Sequence, residues 1–442
     1  MKAKALILTS VFIASNSNVF ALTGGAISNE LLSAENFGAP VSVAGGAKDP
    51  IVTYSNPASL ADIGKLSVTG GGHLEFYGIE RKGSGVSDSM EDQTVFVPSF
   101  GLAQSFGDGK FGFGLAVVSP YGLKTEWSET SNVRYVATDS VLKMYDITPA
   151  VSYRHNEKFA VGLGLDYFNV FDASLQRKFN PVIIDGALNP PTFTPSIPSA
   201  PDGNTKLEGD GSQWGYHGGL LFQPTERHSF GLAYHSEVKM ELEGTIELKG
   251  IAGTFATTVF GGSNFTTPAK ADIFFPQNVL IGYAFTPNEK WRFEVDGHWY
   301  DWSSNKQLLP RAESANAFQR AIVEAPLPLE WKDIWSFGLG TTYRASDMWK
   351  INGGWYYISA AVPDRTFAPI IPDSDRWGLT IGPSFTKGSL TIDAVYSPLF
   401  YKDRNINNNI GEQVSGIPGY NINGEYSADI HIVGLNFKYQ FQ

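Results

Sequence analysis

Seven histidines are the side chains in this sequence best suited to acid–base or metal chemistry, and the chain contains no cysteine. Their spacing is not typical of a zinc site, and thiolate ligands and disulfides are excluded. The Gly-x-Ser-x-Gly, His-Glu-x-x-His and Gly-x-x-x-x-Gly-Lys motifs of enzymes are also absent. We therefore predict a non-enzyme without metal or cofactor, although a Ser/His pair brought together across strands, as in a membrane lipase, stays open. The histidines are His73, His155, His217, His228, His235, His298 and His431.

The elements that must position these side chains are strands with one apolar and one polar face. Trp291, Phe293 and Val295 alternate with charged residues, and the same period returns at 349–352 and 435–441. Side chains of a strand point alternately to its two faces, so each such segment has one apolar face and one polar, solvated face. About fourteen segments of this kind follow one another along the chain.

The connections between these segments alternate between short and long. Short polar turns, such as Gly107–Gly109 and Lys387–Gly388, are followed by long connections, such as 169–205, 244–271 and 303–331. Outer-membrane barrels have short periplasmic turns and longer external loops. A soluble sandwich is the alternative, but it has no reason to sort its loops by length. We predict an all-β fold, a roughly 14-stranded antiparallel transmembrane β-barrel in the bacterial outer membrane.

The N-terminal residues have the pattern of a secretory signal. Lys2 and Lys4 precede the apolar stretch 5–14, and Val19-Phe20-Ala21 fits a cleavage site. We predict a signal peptide over residues 1–21, an N-terminal hatch over 22–64 and a barrel over 65–442. The net charge of −11 argues against a nucleic-acid partner.

The last predicted strand is aromatic and alternating, and it ends with Phe441 one residue before the C-terminus. Such a strand resembles the signal that bacterial barrel-assembly machinery recognises, so we expect that machinery as a partner. An ordinary edge strand is the alternative.

The segment before the first strand contains several small residues. The stretch Ile27 to Ala34 is helix-like, and Asn56-Pro57 reads as a tight turn that opens a short helix. A barrel of about fourteen strands leaves a lumen. We predict that residues 22–64 fill this lumen as a plug; a disordered periplasmic leader is the alternative.

Several short motifs occur in order along nearly the whole mature chain. They are Asn56-Pro57-Ala58, Ser119-Pro120-Tyr121-Gly122-Leu123, Gln213-Trp214-Gly215, Ser236-Glu237-Val238-Lys239, and Ile371-Pro372-Asp373 followed by Asp375-Arg376. Together they resemble the FadL family of long-chain fatty-acid and hydrocarbon transporters. The resemblance implies a fourteen-stranded barrel, acting as a monomer, whose N-terminal hatch bears Asn56, Pro57 and Ala58. It also implies passive transport, with hatch movement and release of the substrate sideways into outer-membrane lipid.

Ser119, Pro120, Tyr121 and Gly122 interrupt the third predicted strand. Proline removes a ladder donor and is expected in sheets only at edges or bulges, so this stretch marks either the end of the strand or a break within it. The resemblance implies an inward kink here that opens a lateral gap in the wall.

The resemblance also implies a docking surface on two long, apolar external loops. We expect Ile183 and Phe193 in one loop and Phe255 and Phe260 in the other to contact the ligand. The alternative is that these side chains pack the two loops against each other.

A fatty acid brings a carboxylate that must be paired once it leaves water. The resemblance places basic side chains near the third loop and after the ninth strand, where this chain has Arg177 with Lys178 and Lys306 with Arg311. Solvated rim charges are the alternative for each. If the pocket lacks a basic group, a neutral hydrocarbon, either an alkane or a monoaromatic, becomes the better ligand.

Two rival functions of a barrel remain at this point. A hydrophilic porin has no need of a plug and would conduct ions steadily. A surface adhesin would use its loops to bind a partner, but this would explain neither the plug nor the break in the wall.

Overall fold

The structure, a computed structural model, describes residues 27–29, 43–46 and 48–442. Its main element is a closed antiparallel barrel of fourteen strands, β1 to β14, as the alternating pattern predicts. The predicted signal peptide, 1–21, lies outside the described residues. No helix in the described part of the chain is long and apolar enough to cross a membrane.

The strands follow the sequence order around the barrel, and four of them consist of two segments. Their bounds are β1 Ser67–Gly83, β2 Gln93–Phe106, β3 Phe111–Val118 and Leu123–Glu126, β4 Asp139–Asn156, β5 Phe159–Phe179, β6 Gly203–Thr225, β7 His228–His235 and Val238–Lys249, β8 Asn264–Phe275 and Asn278–Asn288, β9 Trp291–Tyr300 and Arg311–Ala312, β10 Ile334–Arg344, β11 Trp349–Ile358, β12 Arg376–Lys387, β13 Leu390–Tyr401 and β14 Gly424–Gln440.

The barrel closes because β14 pairs with β1 along almost its whole length. The register runs from Ser67 opposite Gln440 to Lys82 opposite Glu425. Closure removes the unpaired edges that an open sheet would expose to lipid, where backbone groups have no water to bond.

Short helices and short strands lie outside the fourteen barrel strands, before β1 and in the connections. The α-helices are α1 Val52–Ser55, α2 Pro181–Ala187, α3 Thr254–Phe260, α4 Ala317–Val323 and α5 Ile410–Ser415; the 3₁₀ helices are Pro57–Asp62, Trp302–Ser304 and Asp364–Thr366; and short strands lie at Val86–Ser89, Gln307–Leu308, Leu327–Pro328 and Arg404–Ile406. Helices α2 and α3 belong to the two apolar external loops.

The burial pattern is the reverse of that in a soluble protein. In β9, Trp291, Phe293 and Val295 are 38%, 44% and 51% exposed, whereas Glu294 and Asp296 are buried. The same outward apolar face recurs around the barrel, so the wall presents hydrocarbon-compatible side chains to the membrane and places its polar side chains inside.

Several strands are longer than the sequence predicts. Strand β5 continues to Phe179, eleven residues beyond the predicted end at residue 168, and it pairs there with β6. The long connection predicted over 169–205 is therefore much shorter. This part of β5 lies towards the long-loop end. The polar residues Ser174, Gln176 and Lys178 break the alternation of apolar and polar side chains there, so the pattern does not predict a strand.

The lumen changes character along the barrel axis. Near the long-loop end, inward-facing side chains form a large apolar cluster that includes Met144, Phe168, Phe275, Trp302 and Tyr356. Closer to the short turns, buried polar side chains dominate. Residues 43–46 and 48–64 pack at this polar end, whereas Ile27 belongs to the apolar cluster.

Candidate functional site

Strand β3 is interrupted inside the wall. Its first segment ends at Val118, its second starts at Leu123, and the four residues between them are not in the ladder. All four, Ser119 to Gly122, are buried. The chain therefore turns inward at Pro120, which has no N–H for a ladder bond.

The interruption separates β3 from β2. Strand β2 pairs with β3 only from Phe100 to Phe106, although it pairs with β1 from Gln93 onward. The second segment of β3 pairs only with β4 among the described residues, apart from one isolated bridge between Met90 and Trp127. Residues 93–99 thus lack a β3 partner, which leaves a break between two neighbouring strands.

Residues 27–29 lie against this break. The Asn29 N–H donates to the Pro120 carbonyl at 2.7 Å, and the Gly122 N–H donates to the Ile27 carbonyl at 2.8 Å. Ser28 forms an antiparallel bridge with Tyr121. None of these three residues is helical, so the helix predicted over Ile27 to Ala34 is wrong for residues 27–29; residues 30–34 lie outside the described part. An N-terminal stretch satisfies the backbone groups that the proline break leaves unpaired.

Residues 43–46 and 48–64, which we call the inner segment, lie against the inward-facing residues of the wall. The Ala44 N–H donates to Glu294 Oε1 on β9 at 3.2 Å, Asn436 on β14 donates to Asp49 at 3.3 Å, and Arg154 on β4 pairs with Asp62 at 2.5 Å. Contacts on well-separated strands place this segment within the barrel.

Asn56 organises the inner segment. Its side-chain oxygen accepts from the Ala58 N–H at 3.1 Å and caps the 3₁₀ helix that begins at Pro57. Its amide nitrogen donates to the Val43 carbonyl at 2.8 Å and to the Leu220 carbonyl of β6 at 3.1 Å. One fully buried side chain thus joins two parts of the inner segment to the wall.

Two glycines of the wall make room for this turn. Gly162 on β5 and Gly219 on β6 are direct cross-strand neighbours. A Cβ atom on Gly162 would lie 2.3 Å from the Pro57 carbonyl carbon, and one on Gly219 would lie 2.0 Å from Asn56 Oδ1. The Asn56-Pro57-Ala58 turn therefore sits in a saddle that only glycine permits.

A row of polar side chains crosses the inner wall on six consecutive strands. His217 lies directly opposite His235, and His235 lies directly opposite Asn278. The spacing of the histidines does not predict a metal site, but the register brings two of them together. We call this row the polar belt; it consists of Asp146, Asp166, His217, His235, Asn278 and His298, none more than 6% exposed.

An apolar cavity occupies the lumen between the break and the long loops. Its empty volume, part of which is open to solvent, is about 840 Å³. Ile27 and Leu123, next to the break, line one side of it. A second cavity of about 660 Å³ reaches towards the external loops. The two share the lining residues Leu175, Leu207, Leu308, Leu327 and Ile370.

Arg177 lines the second cavity. Its guanidinium donates to the carbonyls of Tyr135, at 3.4 Å, and Val414. Among the described residues it forms no ion pair with a carboxylate. A guanidinium that is half-buried beside apolar side chains and satisfied only by carbonyls retains the capacity to bind an anion.

The other predicted basic residues have different surroundings. Lys178 pairs with Glu129 at 2.8 Å, and Arg311 pairs with Asp272 at 3.1 Å and with Glu241 at 2.9 Å. Lys306 is exposed. None of these three lines either cavity, so the structure separates them from Arg177.

The predicted loop residues also differ from one another. Phe260 is 5% exposed and packs in a cluster that joins α2, α3 and the wall, whereas Phe193 is 63% exposed. Ile183 and Phe255 are half-buried. Packing between the loops accounts for Phe260, and the other three retain apolar surface at the entrance.

Asp185 fastens the two external loops together. Its Oδ1 accepts from the N–H groups of Phe255, at 2.9 Å, and Ala256, at 3.0 Å, both in the first turn of α3. Its Oδ2 accepts from the Ser196 N–H at 2.5 Å and hydroxyl at 2.7 Å. Burial raises the pKa of this carboxyl, but the hydrogen bonds from Ser196, Ala256 and Phe255 outweigh burial, so its pKa is lowered overall.

Sequence reasoning missed Asp185, the polar belt and most of the cavity lining. The cavity draws apolar residues from several strands and loops, and no short motif marks them. A signal for the belt was present: His217 and His235 stand nine residues on either side of Glu226, in the turn between β6 and β7.

Comparisons with known proteins agree with this architecture. Residues 15–441 match the family model described as outer membrane protein transport protein (OMPP1/FadL/TodX). The chain is 24% identical over 371 residues to the long-chain fatty acid transport protein of Escherichia coli K12, covering 79% of this chain and 78% of that protein. It is 23% identical over 367 residues to outer membrane protein P1 of Haemophilus influenzae, covering 78% of this chain and 75% of that protein.

Solved structures give the same fold. A Pseudomonas aeruginosa FadL homologue superposes with a TM-score of 0.81 at 19% identity, covering 95% of this chain and all of that one. The Ralstonia pickettii toluene transporter TbuX superposes with a TM-score of 0.67 at 18% identity, covering 96% and 100%. With a closed fourteen-stranded barrel and a match over almost its entire length, this chain belongs to the OMPP1/FadL/TodX family of outer-membrane transport proteins.

Proposed function

We propose that this protein carries long-chain fatty acids passively across the outer membrane and releases them sideways through the break between β2 and β3. The observation that carries the choice of substrate is Arg177, which lines the second cavity, next to the apolar one, and whose guanidinium has no carboxylate partner among the described residues. A fatty acid entering this space would supply both the alkyl chain and the missing anion.

The energetics favour such a site over a water-filled pore. Apolar surface gains roughly 25 cal/mol per Å² on leaving water, which favours binding of the alkyl chain between Leu175, Leu207 and Leu327. The carboxylate cannot stay unpaired there. Arginine can bind both of its oxygens at once, so it suits this role.

The proposed route has three stages. The exposed Phe193 and the half-buried Ile183 and Phe255 receive the ligand at the external loops. The ligand then occupies the continuous cavity. Movement of residues 27–29 and of the inner segment, acting as a hatch, lets it leave through the break at Pro120 into the membrane.

A neutral hydrocarbon is the alternative substrate. The cavity that reaches the break is lined mostly by leucine, isoleucine, valine and alanine, and TbuX, a toluene transporter, shares the fold. In this case Arg177 would be satisfied by the Tyr135 and Val414 carbonyls alone.

Uptake of labelled oleate and labelled toluene separates the two substrates. The test uses cells without their own transporter that express the wild type, Arg177→Met, or the matched control Arg311→Met, whose arginine is already paired. Removing one partner of a buried charge pair costs roughly 2–5 kcal/mol, so we expect oleate binding to weaken at least about thirtyfold in Arg177→Met. Toluene uptake and the control should be unaffected. Equal oleate uptake by Arg177→Met and the wild type would contradict the fatty-acid proposal.

A further inference from the structure

We propose that Asp166, His217 and His235 form a divalent-cation site, best suited to Zn²⁺, between the barrel wall and the inner segment. One ligand atom from each residue lies within 4.8 Å of the others, and all three residues are buried. The proposal goes beyond transport and does not depend on the identity of the transported molecule.

The donor set fits zinc. Two imidazoles and one carboxylate are the ligands that zinc accepts in three-ligand sites, where water or another oxygen fills the fourth position. His217 Nδ1 lies 2.7 Å from Asp166 Oδ1, and His235 Nδ1 lies 3.8 Å from Asp166 Oδ2. Tetrahedral ligands at about 2.0–2.1 Å from zinc lie roughly 3.3 Å from one another, so on binding the ion Asp166 Oδ1 and His217 Nδ1 would move apart by about 0.6 Å.

The facing atoms contact one another as ion pairs but lack hydrogen bonds of regular geometry. Neither Asp166 Oδ1 nor His217 Nδ1 makes a hydrogen bond of regular geometry within the described residues, and neither ring nitrogen of His235 does. Buried polar atoms are normally satisfied, so such a set needs an explanation. A cation between these atoms would satisfy them together.

The second nitrogen of His217 has the partner that a metal-bound imidazole needs. His217 Nε2 lies 2.9 Å from the Thr53 carbonyl, which can only accept, so Nε2 carries the proton and Nδ1 is left to bind the ion. Ligating histidines usually donate their other N–H to a carbonyl or carboxylate in this way. Here that carbonyl belongs to the inner segment.

The buried acidic side chains next to the site also favour a bound cation. The Asp146 carboxyl lies next to that of Asp166, and among the described residues neither forms an ion pair with a lysine or arginine. Buried carboxylates require compensation. A divalent cation would compensate the charge of Asp166, and the Tyr54 ring, 4.5 Å from the His235 ring, would lie beside the ion.

The metal content of the purified protein tests the site. The chain is isolated without an affinity tag from cells grown with added Zn²⁺, washed with chelator, and analysed by mass spectrometry of the elements. We expect one zinc ion per chain in the wild type and in the matched control His155→Gln, whose histidine is exposed near a short turn. Asp166→Asn and His235→Gln should lose most of it. Heat-modifiable migration in a denaturing gel reports whether each variant folds.

A second measurement needs no variant. Wild-type protein from cells grown with Co²⁺ should show the visible absorption bands of cobalt with nitrogen and oxygen ligands, and Zn²⁺ supplied instead should abolish them. A wild type that contains neither ion would overturn the proposal. So would zinc content in folded Asp166→Asn and His235→Gln equal to that of the wild type.

Discussion

The barrel wall is interrupted on two sides, in two different ways. In β3 the break at 119–122 has no counterpart in β2, so the two strands separate. In β7 and β8 the interruptions lie opposite each other: His235 pairs with Asn278 before them and Val238 with Phe275 after them. An isolated break opens the wall, whereas matched breaks only bend it.

The consequences for the backbone follow from this difference. The matched interruption keeps its neighbours bonded: the Ser236 N–H donates to the Tyr216 carbonyl at 2.9 Å, and the Ser236 hydroxyl accepts from the Tyr216 N–H at 3.0 Å. The isolated break instead recruits Ile27 and Asn29 from the N-terminal stretch. In a membrane every backbone group needs a partner, and at this opening residues 27–29 supply partners that the wall lacks.

Straightening β3 should have the largest effect. In the double variant Pro120→Val with Gly122→Val, both positions can donate and favour extended backbone, so the segment can continue the ladder towards β2. We expect uptake of labelled oleate to fall by an order of magnitude. Undiminished uptake by a folded double variant would mean that the substrate does not leave through this break.

The variant Asn56→Ala tests how the inner segment is held against the barrel wall. Asn56→Ala removes hydrogen bonds to Val43, Leu220 and Ala58, and unsatisfied buried groups cost about 1–3 kcal/mol each. We expect amide hydrogen exchange across residues 50–63 to accelerate at least about fivefold. Exchange of the β7 and β8 amides in the same sample serves as the control. Unchanged exchange at 50–63 would show that Asn56 does not fasten the segment.

Asp185 joins two external loops, one between β5 and β6 and the other between β7 and β8, and this contact should respond to acid. Because the pKa of Asp185 is lowered in the folded protein, its contribution is complete above the ordinary pKa of an aspartate and is lost as the pH falls through the lowered value. We expect pepsin to cleave within 185–200 more readily as the pH falls below about 4. In Asp185→Asn the loop should be susceptible throughout this range, without the additional step. Parallel pH profiles for the two proteins would argue against the contact.

The smallest effect should come from the matched interruption. Pro276→Thr supplies a donor in β8 without removing the opposite bend at Ser236 and Glu237. We expect oleate uptake within about twofold of the wild type, since β7 and β8 stay paired to each other on both sides of the interruption. A loss of oleate uptake comparable to that of the β3 variant would contradict the proposed difference between the break in β3 and the matched interruption of β7 and β8.

The break in β3 was predictable because Pro120 stands in an otherwise alternating segment. The bend in β7 was not, since Ser236 and Glu237 are compatible with a continuous strand and the interruption depends on β8. The number of strands and the alternation of short and long loops followed from local pattern, which each strand carries in its own residues.

The polar belt and the cavity required the register. His217, His235 and Asp166 are far apart in sequence, and a shift of one residue in any ladder would turn one of them towards lipid. Arg177 was predicted among basic candidates, but only the tertiary arrangement shows that Lys178 and Arg311 have carboxylate partners whereas Arg177 has carbonyls.

The seam between β1 and β14 bears on how the protein is made. Ser67 pairs with Gln440, so the barrel cannot close until the last residues of the chain have been synthesised. Joining ends this far apart costs roughly 5 kcal/mol of chain entropy before any bond forms, and contacts of such long range make folding slow. Until the barrel closes, the outward apolar faces of its strands stay uncovered, so the unclosed chain is prone to aggregation.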